Sequence, residues 1–197
     1  MERKLKPIIV DQTLRGKGVR LFSQEEFRRL FGVTLRASQE FIKDHTHDLF
    51  HKLRGGLYAL RSDLPHELEI ANRLYGPSYI SLEYALAYYR FIPETVYTIT
   101  SITPKITREF KVLGKSYEYS RIKKKAYTGY RLLKEGRSKI LIATPEKALV
   151  DYCYFLDLKL KSPNERLRIK NVNSTEILRY AKLFERQSLE KLVKEIL

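Results

Sequence analysis

Cysteine occurs once in this chain, at Cys153. No disulfide can close within it, so a reducing, cytoplasmic setting is expected. Tyr152, Tyr154 and Phe155 surround it and predict a buried structural thiol rather than a reactive one. Long apolar runs are missing too. No stretch approaches the roughly 20 residues that cross a bilayer, and no charged-then-apolar leader opens the sequence, so no membrane partner is expected. There is no glycine-rich phosphate loop, no nucleophile elbow and no paired-aspartate strand motif of a nucleotidyltransferase. Internal repeats and low-complexity tracts are absent as well.

What remains is a globular composition with a strong positive bias. Over the 197 residues, 43% are hydrophobic and 31% charged, which suits a chain with packed cores rather than a disordered one. The net charge of +15 and pI near 9.8 call for an anionic partner, nucleic acid first. The charge is localised. Residues 105–139 hold twelve Lys or Arg against three acidic residues, and residues 1–62 hold thirteen against seven. The other segments balance.

The most telling segment lies between Ser23 and Leu60. Ser23-Gln24-Glu25-Glu26 has the form of a capping box, Phe27, Leu30 and Phe31 recur at helical spacing, and Gly32 supplies a stop. A second helix is predicted from Thr34 to about His45. Leu49–Leu53 and Leu57–Leu60 then flank Arg54-Gly55-Gly56 as a hairpin. Helix, turn, helix and hairpin are the parts of a winged helix, which binds duplex DNA. On the second helix Leu35, Ser38 and Ile42 share one face, with His45 beside them, and Arg36, Gln39 and Lys43 another. Arg and Gln can pair with guanine and adenine edges, and Lys43 can reach base or phosphate. Lys52, Arg54 and Arg61 lie on or beside the wing, where phosphate or minor-groove contact is the usual task. Glu40 and Asp44 also face outward and would repel phosphates, so the binding stripe must be narrow. A merely solvated polar face is the bland alternative.

A break at Arg61–Pro65 divides the chain into a winged-helix domain, residues 1–62, and a second domain, residues 63–197. The expected class is α+β, the second domain being a mixed α/β unit with a mainly antiparallel sheet and flanking helices. Helices are predicted from Pro65 to Tyr75, after a Ser81 cap, from Thr144-Pro145 to about Leu156, and as a tail from Ser174 to Leu197. Strand signals fall at Val96–Ile102, Phe110–Val112, Tyr117–Ile122, Leu132-Leu133 and Ile140–Ile142, with turns at Gly114-Lys115 and Gly136. Lys123, Lys124 and Lys125 form a second candidate patch for an anionic partner. Tyr117, Tyr119, Tyr127 and Tyr130 nearby could stack bases, although a half-buried sheet face explains them better.

Gly56-Leu57-Tyr58-Ala59-Leu60, then Pro77–Leu86 and Ala143–Asp151 in that order, resemble the AbiE-type antitoxins of type IV toxin–antitoxin systems, which belong to bacterial phage defence. The similarity runs from about Phe22 to Leu156. It implies a transcriptional repressor of its own operon, with operator DNA as one partner. It also implies a second domain that neutralises a nucleotidyltransferase-like toxin without a stable complex and without catalysis. The very basic middle segment departs from the pattern. Monomer and homodimer both fit.

Two other readings stay open. One is a free-standing winged-helix regulator. The other is a nucleic-acid-processing enzyme centred on Glu146, Lys147 and Asp151, although at a helix start the dipole already accounts for Glu146. His45, His47 and His51 have no cysteine near them and His51 falls in the hairpin, so neither metal nor cofactor is expected.

Overall fold

The computed structural model describes residues 5–197, and the chain separates into two compact units, Met1–Leu74 and Tyr75–Leu197. It belongs to the α+β class.

In the first unit the order is α1 (Pro7–Gly16), β1 (Leu21–Ser23), α2 (Gln24–Phe31), α3 (Leu35–Asp44), β2 (Phe50–Arg54), β3 (Leu57–Leu60) and α4 (Glu67–Leu74). Each α2 boundary has a local cause. The Glu26 amide donates to Ser23 Oγ at 3.2 Å while the Ser23 amide donates to the Glu26 carboxylate at 2.6 Å, which completes the capping box. Gly32, at φ +62°, ends the helix in a left-handed turn that a β-carbon would strain. The Ala37 amide donates to Thr34 Oγ1 at 3.2 Å and so starts α3.

Val10, Leu14, Phe22, Phe27, Ile42, Phe50 and Leu60 form the core of this unit. Phe50 meets Phe22 edge-on at 5.1 Å, the geometry aromatic quadrupoles favour. The sheet order is β1-β3-β2, antiparallel throughout. A register irregularity between Lys52 and Arg54 lets Leu53 turn inward while both cations stay exposed.

The helix α4 belongs with this unit, so its compact body continues to Leu74, past the break read at residues 62/63. Leu68, Ile70, Ala71 and Leu74 are buried. Arg20 pairs with Glu69 at 2.7 Å, Arg73 pairs with Glu26 at 2.6 Å, and Arg54 Nε donates to the Leu74 carbonyl at 2.7 Å. The polar-apolar pattern announces α4 correctly but does not reveal which unit it packs on.

The second unit runs β4 (Tyr79–Ile80), α5 (Leu82–Tyr88), β5 (Ile99–Thr103), β6 (Arg108–Val112), β7 (Lys115–Arg121), β8 (Tyr130–Glu135), β9 (Ser138–Ala143), α6 (Pro145–Asp157), α7 (Ser174–Lys182) and α8 (Gln187–Ile196). Its sheet order is β6-β7-β5-β4-β9-β8. The hairpins β6-β7 and β8-β9 are antiparallel, as is β4-β5, whereas β5-β7 and β4-β9 are parallel. The sheet is therefore mixed, with the short β4 lying between β5 and β9. The β6-β7 turn is Leu113-Gly114, both at positive φ, one position before the Gly114-Lys115 site suggested by composition.

The helices α5, α7 and α8 all contact α6. The predicted C-terminal helix is two helices, broken around Glu185 at φ +53°. Asn173 caps the first of them by accepting from the Thr175 and Glu176 amides. Cys153 is buried on α6, and burial pushes its thiol up to about 12.

Candidate nucleic-acid interface

On α3, Ser38 and Ile42 are buried, and Arg36, Gln39, Glu40 and Lys43 are exposed. Leu35 departs from expectation. It is 53% exposed at the start of the helix, because the inward stripe begins only at Ser38. The outward acids are partly neutralised within the same surface. Glu40 accepts from Arg36 Nε at 2.9 Å, and Glu25 on α2 takes both Arg28 and Arg29, which hold its carboxyl down to about 2.

The six candidates divide into three situations. Gln39 and Lys43 on α3 and Lys52 on β2 line one cavity of about 590 Å³. Arg36 stands at the outer end of α3, its side chain 86% exposed and paired with Glu40. Arg54 and Arg61 are spent on the backbone. Besides holding Leu74, Arg54 donates to Gly55 O at 3.2 Å, while Arg61 donates to Phe50 O at 3.1 Å and Thr46 O at 3.2 Å. Both arginines still place positive charge near the hairpin, and each has two of its five N–H donors engaged by backbone carbonyls.

The cavity also brings in residues that the sequence did not single out. Gln24, Thr46 and His47 complete its polar wall, with Ile42 and Tyr58 on its apolar side. Among the described residues no acidic side chain lines it. Gln24 was read only as part of a capping box; the residues around this cavity are separated by up to half of the first unit's length, which no local pattern encodes.

The second basic patch is organised differently. Lys123 Nζ donates to the Phe184 carbonyl at 2.7 Å, and Lys125 pairs with Glu185 at 2.7 Å. Two of the three lysines thus bind the α7–α8 turn, and Lys124 is exposed between them. Tyr117 and Tyr119 are buried in the sheet, and Tyr127 and Tyr130 pack around Tyr79, as the sheet-face explanation requires.

Glu146, Lys147 and Asp151 do not share a set of partners. Glu146 accepts from the Asn173 amide at 3.2 Å. Lys147 and Asp151 are fully buried and bonded to one another, with Tyr79 and Ser81 on Asp151. His45 is engaged with Asp48 at 2.9 Å. Among the described residues no group of three His, Cys, Asp or Glu side chains could hold a metal, and no helix is long and apolar enough to cross a membrane. No protein-family model matches the chain, and no curated protein matches it.

Proposed function

We propose that the first unit is a winged helix that binds duplex DNA, with α3 as the recognition helix and the β2–β3 hairpin as the wing. The observation that carries this reading is the convergence of Gln39 and Lys43 from α3 with Lys52 from β2 on one carboxylate-free cavity. A recognition helix and a wing must present cations to the same duplex, and here the two elements do so side by side. The exposed start of α3 adds Arg36, suited to a guanine edge, and Leu35, suited to a thymine methyl.

The resemblance of Gly56–Leu60, Pro77–Leu86 and Ala143–Asp151 to AbiE-type antitoxins supports a fuller statement. In it the chain represses its own operon through the first unit and neutralises a nucleotidyltransferase-like toxin without catalysing a reaction. The DNA half is tested by gel shift on the chain's own promoter region across a salt series. With about six phosphates neutralised, log affinity falls against log salt with a slope of roughly −5. Arg36→Ala and Lys43→Ala weaken binding, and Arg36→Ala relaxes base preference. If both variants bind like the parent, α3 is not in the interface.

A further inference from the structure

One polar atom in the first unit is out of keeping with its surroundings. Gln24 Nε2 is buried and donates to no partner among the described residues. Buried amide donors almost always find an acceptor, so one left open marks a place where the acceptor comes from elsewhere. Gln24 is the first residue of α2, its backbone amide donates to the Gly56 carbonyl of the hairpin at 3.2 Å, and its side chain lines the cavity shared by α3 and β2.

Beside its apolar side at Ile42 and Tyr58, the rest of the wall is rich in hydrogen-bond donors. Lys43 and Lys52 bring ammonium groups, Gln39 an amide and His47 an imidazole. Three of the four acids on the neighbouring helices have partners elsewhere: Glu25 is held by Arg28 and Arg29, Glu26 by Ser23 and Arg73, and Glu40 by Arg36, while Asp44 is exposed outside the cavity lining. Donors from three separate elements, with no carboxylate among them, match a compact anion rather than a base edge. Guanine and thymine edges also present acceptors alone in the major groove, but a phosphate adds a full negative charge, which two ammonium groups match.

We propose that this cavity seats one backbone phosphate of the bound duplex, with Gln24 Nε2 donating to it and Lys43 and Lys52 neutralising it. The proposal rests on the DNA-binding reading and sharpens it: Gln39 and Lys43 then fix the register of α3, and base reading falls to Arg36 and Leu35.

The test uses the full-length chain and fluorescence anisotropy on two duplexes of equal length, one from its promoter region and one unrelated. Gln24→Met removes the donor and Gln24→Glu adds a negative charge, while an acid in the first turn of α2 suits the helix dipole and keeps the fold. Each variant weakens binding to the two duplexes equally, Gln24→Met by about tenfold for the loss of one charge-assisted hydrogen bond and Gln24→Glu by more, because its carboxylate repels the phosphate. Lys52→Ala does likewise and reduces the magnitude of the salt slope by about 1. A loss confined to the promoter duplex would mean that the cavity reads a base, and unchanged binding would put it outside the interface; either result overturns the proposal. If the parent binds neither duplex, the DNA-binding reading fails by itself. The cavity is then judged by nuclear magnetic resonance with inorganic phosphate. Saturable movement of the Gln24 side-chain amide signal with phosphate, and not with chloride, upholds an anion site, and no movement refutes it.

Discussion

Lys147 and Asp151 form an ion pair one turn apart on α6 with neither side chain exposed to solvent. Burial pushes the Asp151 carboxyl up and the Lys147 ammonium down, and each counters that pressure on the other. Asp151 also accepts from Tyr79 Oη at 2.9 Å and Ser81 Oγ at 2.8 Å, and Lys147 Nζ sits 5.0 Å from the centre of the Phe184 ring. One pair thereby links β4, the entry to α5, α6 and the end of α7. Lys147 and Asp151, two of the three residues on which the alternative enzyme reading centres, do this structural work.

Breaking the pair leaves an uncompensated buried charge. Asp151→Leu and Lys147→Met are each expected to destabilise the second unit by about 3–5 kcal/mol. The double variant Lys147→Met with Asp151→Leu removes both charges and is expected to cost less than the sum of the single changes. Urea denaturation of the four proteins forms a double-mutant cycle that measures this coupling. Additive losses would mean that the two groups act independently.

A second prediction concerns how α5 begins. Ser81 occupies the capping position, but its hydroxyl goes to Asp151 instead of a helix amide. Thr100 on β5 takes over: its Oγ1 accepts from the Tyr84 amide at 3.1 Å and donates to the Ser81 carbonyl at 2.7 Å. Thr100→Val keeps the shape and removes both of these hydrogen bonds. It is expected to cost about 1–3 kcal/mol, with Thr100→Ser recovering most of the loss in the same denaturation assay.

These two sites show where sequence reading succeeds and where it stops. The capping box at Ser23, the left-handed stop at Gly32, the Thr144-Pro145 start and the three glycine-marked hairpins are local, and each follows from residues within about one turn of chain. Ser81 was readable as a cap because the local pattern permits it. The carboxylate that claims its hydroxyl is on α6, and the threonine that replaces it is on β5. Strand β4 is two residues long, too short to carry a pattern, yet it joins the two halves of the sheet by pairing with β5 on one side and β9 on the other. At the candidate site, Arg36, Gln39 and Lys43 were legible as one face of α3. The commitment of Arg54 and Arg61 to carbonyls was not, because backbone partners leave no mark in side-chain sequence. The open donor on Gln24 was hidden for the same reason.

A third prediction follows from α4. Residues 1–74 are expected to form a cooperatively folded fragment, whereas residues 1–62 lose the buried face of α4 and the partners of Arg20, Arg54 and Glu26. The shorter fragment leaves apolar core surface and a nearly buried Arg20 uncovered, so it melts at lower temperature and yields faster to protease. Equal melting temperatures for the two fragments would show that α4 contributes nothing to the first unit.

The last prediction separates the two units by function. Under the antitoxin reading, residues 75–197 lose operator repression, since α3 and the hairpin are gone, yet keep neutralising activity against the toxin in a growth-rescue assay. Within that fragment the lysine triplet can be dissected, because its members have different duties. Lys123→Glu with Lys125→Glu sets three carboxylates together around Glu185 and removes the bond to the Phe184 carbonyl, so the melting temperature is expected to fall. Any accompanying loss of neutralisation then reflects the fold. Lys124→Glu touches neither bond, and its melting temperature is expected to match the parent's. Lys123 and Lys125 share the one carboxylate of Glu185, and Lys124 is a single exposed position beside them, so Lys124→Glu alone is expected to leave neutralisation within about twofold, the scale of one exposed charge. Loss of neutralisation in this variant at unchanged melting temperature would instead make the patch a contact for an anionic partner. If even the full-length chain neutralises no toxin encoded beside it, the antitoxin half of the reading fails and a DNA-binding regulator remains.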